Sequence, residues 1–566
     1  MVSYTCHVEY RDYKVWNYSP STEILLKHPL DYKLFHGDSF LNSNEGVITI
    51  IESSVRKNQN IPGILLLENN RTFGRTPNAK RLYYICRPDD SKLPEFLVPF
   101  DMQIGFHKNF KNKYVTFSFH NWEGKRPTGI LTQNFGDVYH FPSFCEYMLY
   151  CKQLHHSLKL SILKTKQQLK LKTALQLQHE ILSTPDRFGT FIKRDSDFIF
   201  SIDPNGCVDR DDALSITLLS SSPNVYKVSV YIANVWVWLD MLDLWEDLHD
   251  GRVSTVYFPE TKRSMLPPAL GEDLCSLNQD QLRFGFVMDF VVTENEISFH
   301  GLNQCLLKVD KNFDYEEPSL LRCAKYQMLK TATQKLQHNV KDSHEVVAFW
   351  MTQMNLHCAK EMRKQKVGIF RTVESKCDKN AVVMIPADIP PILTILEKKM
   401  SGSYTEYKHG ENDNYKHEVL GFSEYIHFTS PIRRMVDLLN QLIWVAYCVQ
   451  PKNIRPEVVA FCKGQLAHLD NLNDKMKKTR KLQSDCDILY KIVNCPEYID
   501  STVEGIIVSM NNGTKISVYI DSLHWLTQTL VPAGNAHYKF EKVTCKIFVF
   551  EKEAQMKKKV KIQLVI

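Results

Sequence analysis

The chain has 566 residues, a formal net charge of +6, and apolar and charged fractions of 43% and 24%. That is globular composition over a length that fits three or four domains, and the mild charge permits a nucleic-acid partner without demanding one. The N-terminus lacks an apolar signal core, the longest apolar stretch (442–449) is too short to span a bilayer, and none of the fifteen cysteines forms C-x-x-C; a membrane protein, a zinc ribbon and a disulfide scaffold are thereby excluded, and a soluble chain with reduced thiols is expected, in the cytoplasm or alternatively the nucleus.

Residues 1–45 are aromatic-rich and broken by turns, too little chain for a five-stranded barrel, and predict an abbreviated barrel remnant. From 46 to 155, short strands (GVITII, GILLLE, LYYICRP, EFLVPF, YVTFSFHNW) alternate with Gly/Pro/Asn turns, which predicts a small β-barrel. Tyr83, Tyr84, Phe117 and Trp122 in it are either core or stacking platforms for bases. The composition of residues 155–182 predicts one helix, within a linker region of 156–194. Its Lys159, Lys164, Lys166, Lys170 and Lys172 form either a solvated face or a stripe for nucleic acid. Residues 195–498 alternate strands and helices, an α+β arrangement with a helical, basic end at KMKKTRK (475–481). The run WMTQMNLHCAKEM, from Trp350, reads as a buried helix, and 375–413 as an unplaced, loop-like stretch. Five short strands in 499–566 predict a terminal OB-type barrel; Lys557, Lys558, Lys559 and Lys561 there contact phosphates or guard an edge strand.

The richest chemistry lies in FSIDPNGCVDRDDALSITL, beginning at Phe200. Asp203, Asp209, Asp211 and Asp212 fall within ten positions on a Pro/Asn/Gly turn between two apolar, strand-like pieces. Four such charges repel unless something neutralises them. A hard divalent cation with oxygen ligands does so and can act on phosphate. An acidic surface turn is the plainer alternative. A calcium hand fails, because Val208 and Leu214 stand where it needs Gly and Glu. Asp209 and Asp211, two apart on an extended piece, point the same way, which leaves Asp212 to face a second ion.

A second motif is HFTSPIRRMVDL, His427 to Leu438. Thr429 or Ser430 suits an N-cap and Pro431 a first helical position, so a helix is expected to open there. Its free N–H groups suit a phosphate, and Arg433 and Arg434 can fork onto phosphate oxygens. Without the acids elsewhere, an Arg pair is usually just solvated.

Together, IDPNGCVDRDDA and HFTSPIRRMVDL resemble the two signatures of the ribonuclease II, or RNB, family, in the expected order. STVYFPETKRSMLPPALGEDLCSLN (254–278) is similar to the family's segment between them, and Asn355 and Arg371 match residues usual further on. The strand YKVSVYIANVWVWL departs from the family's V-H-I-A-D-V, with Tyr231 for His and Asn234 for Asp, which touches supporting structure more than chemistry. HPLDYKLFHGDSF (28–40) is similar to the closing segment of an OB-type barrel in the eukaryotic exosome-nuclease branch: either a first barrel is abbreviated or this segment braces the next one. CRPDDSKLPEFLVPF and FSFHNWEGKRPTGIL resemble that branch's second cold-shock-type barrel. The fold implied is α+β and multidomain: an RNB core (195–498) flanked by OB-fold, cold-shock-like barrels (46–155 and 499–566), with no endonuclease domain in front.

The resemblance implies a 3′→5′ exoribonuclease that hydrolyses single-stranded RNA processively to nucleoside 5′-monophosphates. Magnesium, or manganese, would be held by Asp203, Asp209, Asp211 and Asp212. Arg433 would neutralise the scissile phosphate, with Asp211, Arg433 and Tyr257 as the catalytic set. Tyr257, Tyr315, Arg433 and Arg434 would bind substrate. A monomer is expected, with an exosome-like or helicase partner open. The alternatives are a catalytically idle RNA-binding protein on the same fold and a nuclease acting on DNA or internally.

Overall fold

The computed structural model describes residues 3–21, 27–43, 47–77, 81–101, 110–222, 224–294, 296–374, 392–393, 401–408, 415–499, 501–511, 515–531, 537–552 and 556–565. Residue 46 of GVITII, residues 532–533 of QTLVPA and most of 375–413 lie outside them. The chain divides into two compact units, one of residues 1–155, 258–260 and 481–566, the other of 156–257 and 261–480.

The first unit carries three β structures. Strands Trp16–Ser19, Ser3–Val8, Ser39–Asn42 and Ile48–Glu52 form a four-stranded sheet in that spatial order. The expected remnant is thus a sheet with a core of its own (Tyr4, Cys6, Val8, Tyr13, Tyr18, Leu34, Phe40), and GVITII, expected in the next barrel, supplies its last strand. The segment 28–40 contributes to two cores: Leu34 and Phe40 close the first, while Phe35 enters the second, stacked on Phe96 at 5.7 Å and beside Trp122 at 4.8 Å. That second core fills a closed barrel of strands Ile61–Leu65, Leu82–Pro88, Phe96–Phe100, Thr128–Asp137 and Lys113–Asn121. Tyr84, Phe117 and Trp122 are buried in it, the core alternative for them; of the four aromatics only Tyr83 is half-buried. The five C-terminal strands pair in the order Trp525–Leu530, Lys515–Ile520, Thr502–Asn511, Lys542–Lys552, Lys557–Leu564. This sheet curls until Thr529 Oγ1 on its first strand donates to the Ile562 carbonyl on its last, 2.9 Å away.

The second unit is built on a seven-stranded sheet: Ile192–Arg194, Ile297–Lys308, Leu282–Val292, Asn224–Ala233, Asp212–Ser221, Phe200–Asp203, Lys311–Asp314. Its middle strands are buried on both faces, which is why they read as apolar runs rather than alternating ones. Trp236, Trp238, Trp245 and Trp350 are fully buried against it, each such side chain contributing on the order of 2 kcal/mol or more. Tyr231 and Asn234, the two departures from the family strand, are core: the Tyr231 hydroxyl lies 3.1 Å from Ser215 Oγ and Asn234 Nδ2 donates to Gln304 at 3.0 Å.

Two helix readings are corrected. The single helix expected over 155–182 is two, Lys159–Leu171 and Ala174–Ser183. Thr173 caps the second: its hydroxyl accepts from the Gln176 N–H, and the Gln176 side chain accepts from the Thr173 N–H, a capping box that restarts the helix. The buried helix at Trp350 begins earlier, at Ser343, under an Asp342 cap, and runs to Lys364. No helix among the described residues is long and apolar enough to cross a membrane.

Candidate active site

The acid-bearing turn owes its shape to position in the sheet. Asp203 ends strand Phe200–Asp203 and Asp212 begins the antiparallel neighbour Asp212–Ser221, so both stand at one end of the sheet. Between them Cys207 N–H donates to the Pro204 carbonyl at 3.0 Å around Gly206, whose φ of +76° is cheap only for glycine. Arg210 and Asp211 are then pinned by their backbones. The Leu277 N–H donates to the Arg210 carbonyl (3.0 Å) and the Ala233 N–H to the Asp211 carbonyl (2.8 Å).

Each acid has a distinct setting. Asp203 Oδ2 accepts from Ser201 Oγ at 2.7 Å, with Arg210 Nε 3.5 Å away. Asp209 accepts from Lys262 Nζ at 2.9 Å and from the Tyr257 hydroxyl at 3.3 Å. Asp211 accepts from the Ile432 N–H at 2.8 Å and from Arg433 Nε at 3.0 Å. The Asp212 carboxylate has no hydrogen-bond partner among the described residues. Burial pushes Asp211 up to about 7 against the pull of Arg433. Burial, then the charges of Asp203 and Asp211, pushes Asp212 well up, and burial raises Asp203.

That pattern bears on a divalent ion. No three His, Cys, Asp or Glu side chains among the described residues converge closely enough to ligate one as they stand. The donor chemistry nevertheless suits a hard cation: two buried carboxylates, Asp203 and Asp211, beside the half-buried Asp212, whose charges resist each other until a cation arrives.

The segment 427–438 departs from its expected form. The helix opens at Met435, not at Thr429 or Ser430, and runs to Trp444 with Arg434 at its N-cap position and no side-chain cap. Tertiary contacts pull residues 430–434 out of helical geometry. Arg434 forms an antiparallel bridge with Ser254, Thr255 N–H donates to the Arg433 carbonyl at 3.0 Å, and the Ile432 N–H goes to Asp211 rather than to a ligand. Asn355 supports this tract, accepting from the Phe428 N–H at 2.8 Å and donating to Thr429 Oγ1 at 3.3 Å.

The two arginines therefore part company. Arg433 is half exposed; it reaches Asp211 with Nε and Ser430 Oγ with Nη2 (3.0 Å), and Nη1 has no protein partner among the described residues. Arg434 forks instead onto Asp437, which is fully buried; Nε donates to Oδ2 and Nη2 to Oδ1 at 2.9 Å. Its expected role on phosphate is corrected to a structural one, because its fork is already filled. Tyr257 is 39% exposed, so its ring is presented at the surface beside Asp209. Tyr315 donates its N–H to the Asp203 carbonyl at 3.0 Å, and His344 stacks on its ring at 3.6 Å, covering one face. Arg371 lies over the Tyr404 ring at 4.9 Å, and half-buried His427 has its Nδ1 2.7 Å from the Tyr404 hydroxyl.

Sequence reasoning missed Arg210, Lys262, Ser201 and Asp437. Arg210 was visible as the lone cation inside the acid run; the others follow only from chain folding.

The RNB domain family matches residues 193–346 and 322–449. Ribonuclease R of Buchnera aphidicola subsp. Schizaphis graminum is 22% identical over 350 residues, 49% of this chain and 47% of that protein, so the chain spans about half the length of this relative. A structure of Mycoplasma genitalium RNase R in complex with ribose methylated single-stranded RNA superposes with a TM-score of 0.69 at 14% identity, covering 99% of this chain and 100% of that one. Yeast Ssd1, described as a pseudonuclease, superposes with a TM-score of 0.56 at 12% identity, over 94% and 78% of the respective chains.

Proposed function

We propose that this chain, which matches the RNB domain family over residues 193–346 and 322–449, hydrolyses single-stranded RNA from the 3′ end, processively, to nucleoside 5′-monophosphates. The observation that carries this reading is the contact between Arg433 and Asp211, residues 222 positions apart, which joins the two motifs in one site.

In this reading Arg433 is the phosphate ligand. Asp211 and Ser430 hold its Nε and Nη2, so the free Nη1 edge is aimed without further loss of side-chain freedom. The scissile phosphate sits against that edge, with the unpartnered Asp212 and the buried Asp203 and Asp211 opposite. Magnesium, or manganese, would be held there by those acids, and when bound supplies Lewis acidity toward a phosphoryl oxygen and a water of lowered pKa. Water adds to phosphorus and the P–O3′ bond breaks, leaving a 5′-monophosphate and an RNA shortened by one nucleotide. Tyr257, held by its hydrogen bond to Asp209, packs on the terminal nucleotide. Contacts to the 2′-hydroxyl select RNA over DNA.

A second reading, an idle RNA-binding protein, is favoured by the fold likeness to Ssd1. End-labelled single-stranded RNA incubated with magnesium or with chelator separates the two. A ladder shrinking from the 3′ end only with magnesium supports hydrolysis; RNA retarded but intact in both arms overturns it.

A further inference from the structure

A second group of cations in the same unit is left without counter-charge. It gathers on Tyr404, a buried residue of strand Ser401–Glu406. Asn473, on the helix Leu469–Asn494, fixes that residue: its Oδ1 accepts from the Tyr404 N–H at 2.8 Å and its Nδ2 donates to the Tyr404 carbonyl at 2.9 Å. Arg371 stands directly opposite Tyr404 on the paired strand Ile369–Glu374 and lays its guanidinium over the ring. Gly402 makes the room, since a Cβ there would run into that guanidinium. Arg480 lies two turns beyond Asn473 on the same helix, and so on the face that meets Tyr404. Its charge and that of Arg434 act on both Arg371 and Tyr404.

Arg434 has Asp437 to itself, but neither Arg371 nor Arg480 has a carboxylate partner among the described residues. His427, whose ring meets the Tyr404 hydroxyl, registers the excess: burial, then the charges of Arg434, Arg371, His417 and Arg480, pushes it well below the usual imidazole range. Guanidinium groups that packing holds near one another repel unless an anion sits between them. A guanidinium stacked on a ring keeps its N–H edge open, and such edges match the oxygens of a phosphate. Arg433, the chain neighbour of Arg434, reaches Asp211, so one tract joins this group to the acids. We propose that Arg371 and Arg480 form a second phosphate site, which holds a phosphodiester of the RNA strand on the 5′ side of the one at Arg433. The proposal rests on the exonuclease reading above and adds to it a grip on the substrate that takes no part in bond breaking.

The test measures binding of 5′-labelled single-stranded RNA to the full chain by anisotropy, in chelator and so apart from cleavage. Arg371→Gln and Arg480→Gln are each expected to weaken binding about ten-fold, the loss of a charge-assisted contact. The double variant should also lower the slope of log affinity against log salt by about 0.7, one phosphate on a single strand. RNAs with a neutral methylphosphonate at successive linkages from the 3′ end locate the contact: one internal linkage should weaken wild-type binding about ten-fold and leave the double variant unaffected. Arg480 is exposed, so Arg480→Gln decides the matter if a melting transition shows Arg371→Gln misfolded. Unchanged affinity and slope in folded variants overturn the site, as does a linkage effect that survives in the double variant. Equilibrium dialysis with a labelled nucleoside 5′-monophosphate tests the other source of phosphate: binding lost in the variants while RNA affinity holds makes this a product site and overturns the RNA assignment. A wild type that binds no RNA sinks both readings. A ladder shrinking from the 3′ end with magnesium, made by a chain whose variants bind normally, sinks the second site alone; RNA bound but left uncut sinks the exonuclease reading, and the variants still decide the site.

Discussion

Replacing Arg434 by Ala should damage the fold far more than the chemistry, and Arg433→Ala should do the reverse. Asp437 is fully buried and accepts from three donors: two on Arg434 and the Ser430 N–H at 2.8 Å. Removing the guanidinium leaves a buried carboxylate with one donor, a loss of about 3–5 kcal/mol. For a cooperative unit of this size, about 2 °C of melting temperature follows each kcal/mol, so a fall of about 6–10 °C is expected. Arg434→Lys keeps the charge but not the fork and should lose less, about 1.5–3 kcal/mol. Scanning calorimetry gives the shift, and fluorescence anisotropy with labelled RNA, well below the transition, gives affinity. RNA affinity and cleavage by Arg434→Ala should stay within about two-fold of wild type, since its guanidinium is committed to the fork on Asp437 and little exposed. Arg433→Ala should lose about 100- to 1,000-fold in turnover. If Arg434→Ala melts normally but binds RNA ten-fold more weakly, the assignment of the two arginines is reversed.

Asp211→Asn should abolish cleavage while RNA binding persists, seen by gel shift alongside the ladder assay. In chelator, wild-type stability should fall as pH rises from about 4 to 7, because folded Asp211 holds its proton up to about 7 where the unfolded carboxyl releases it near 3.8; the contribution is at most about 4 kcal/mol. Urea titrations across that window should show a slope shallower by one proton in Asp211→Asn, and an unchanged slope would refute the assignment. Thr173→Ala removes one half of the capping box at Ala174–Ser183 and should cost that helix about 1 kcal/mol, read as roughly five-fold faster amide exchange at residues 174–177. Asn355→Ala strips the Phe428 N–H and Thr429 hydroxyl of their partner. It should cost about 1–3 kcal/mol and lower turnover more than RNA affinity, because the tract it supports carries Arg433.

The acids and Arg433 were legible because their chemistry is dense in sequence. Four carboxylates in ten residues need neutralising whatever the fold, and the turn residues around Gly206 announce where they sit. The aromatics of the first barrel were harder to place because Tyr83 and Tyr84 are neighbours on one strand and differ only in which face they present. Alternation separates them once the strand's inner face is known, and that depends on what packs against it. Phe35, from outside the barrel, is part of that packing.

The misplaced helix start has a different cause. Thr429, Ser430 and Pro431 satisfy every local rule for a helix N-terminus, and local rules hold when nothing distant competes for the same backbone groups. Here Ser254 and Thr255 compete, bridging Arg434 and taking the Arg433 carbonyl, and the Ile432 N–H goes to Asp211. Had the helix begun at Pro431, Ile432, Arg433 and Arg434 would have stood on successive positions about 100° apart around one axis, and both arginines could not have kept their present partners. The turn at 430–433 and the bridge at Arg434 instead turn Arg433 toward the acids and Arg434 toward Asp437. The departure from local preference is thus what separates a phosphate ligand from a structural arginine in adjacent positions of one motif.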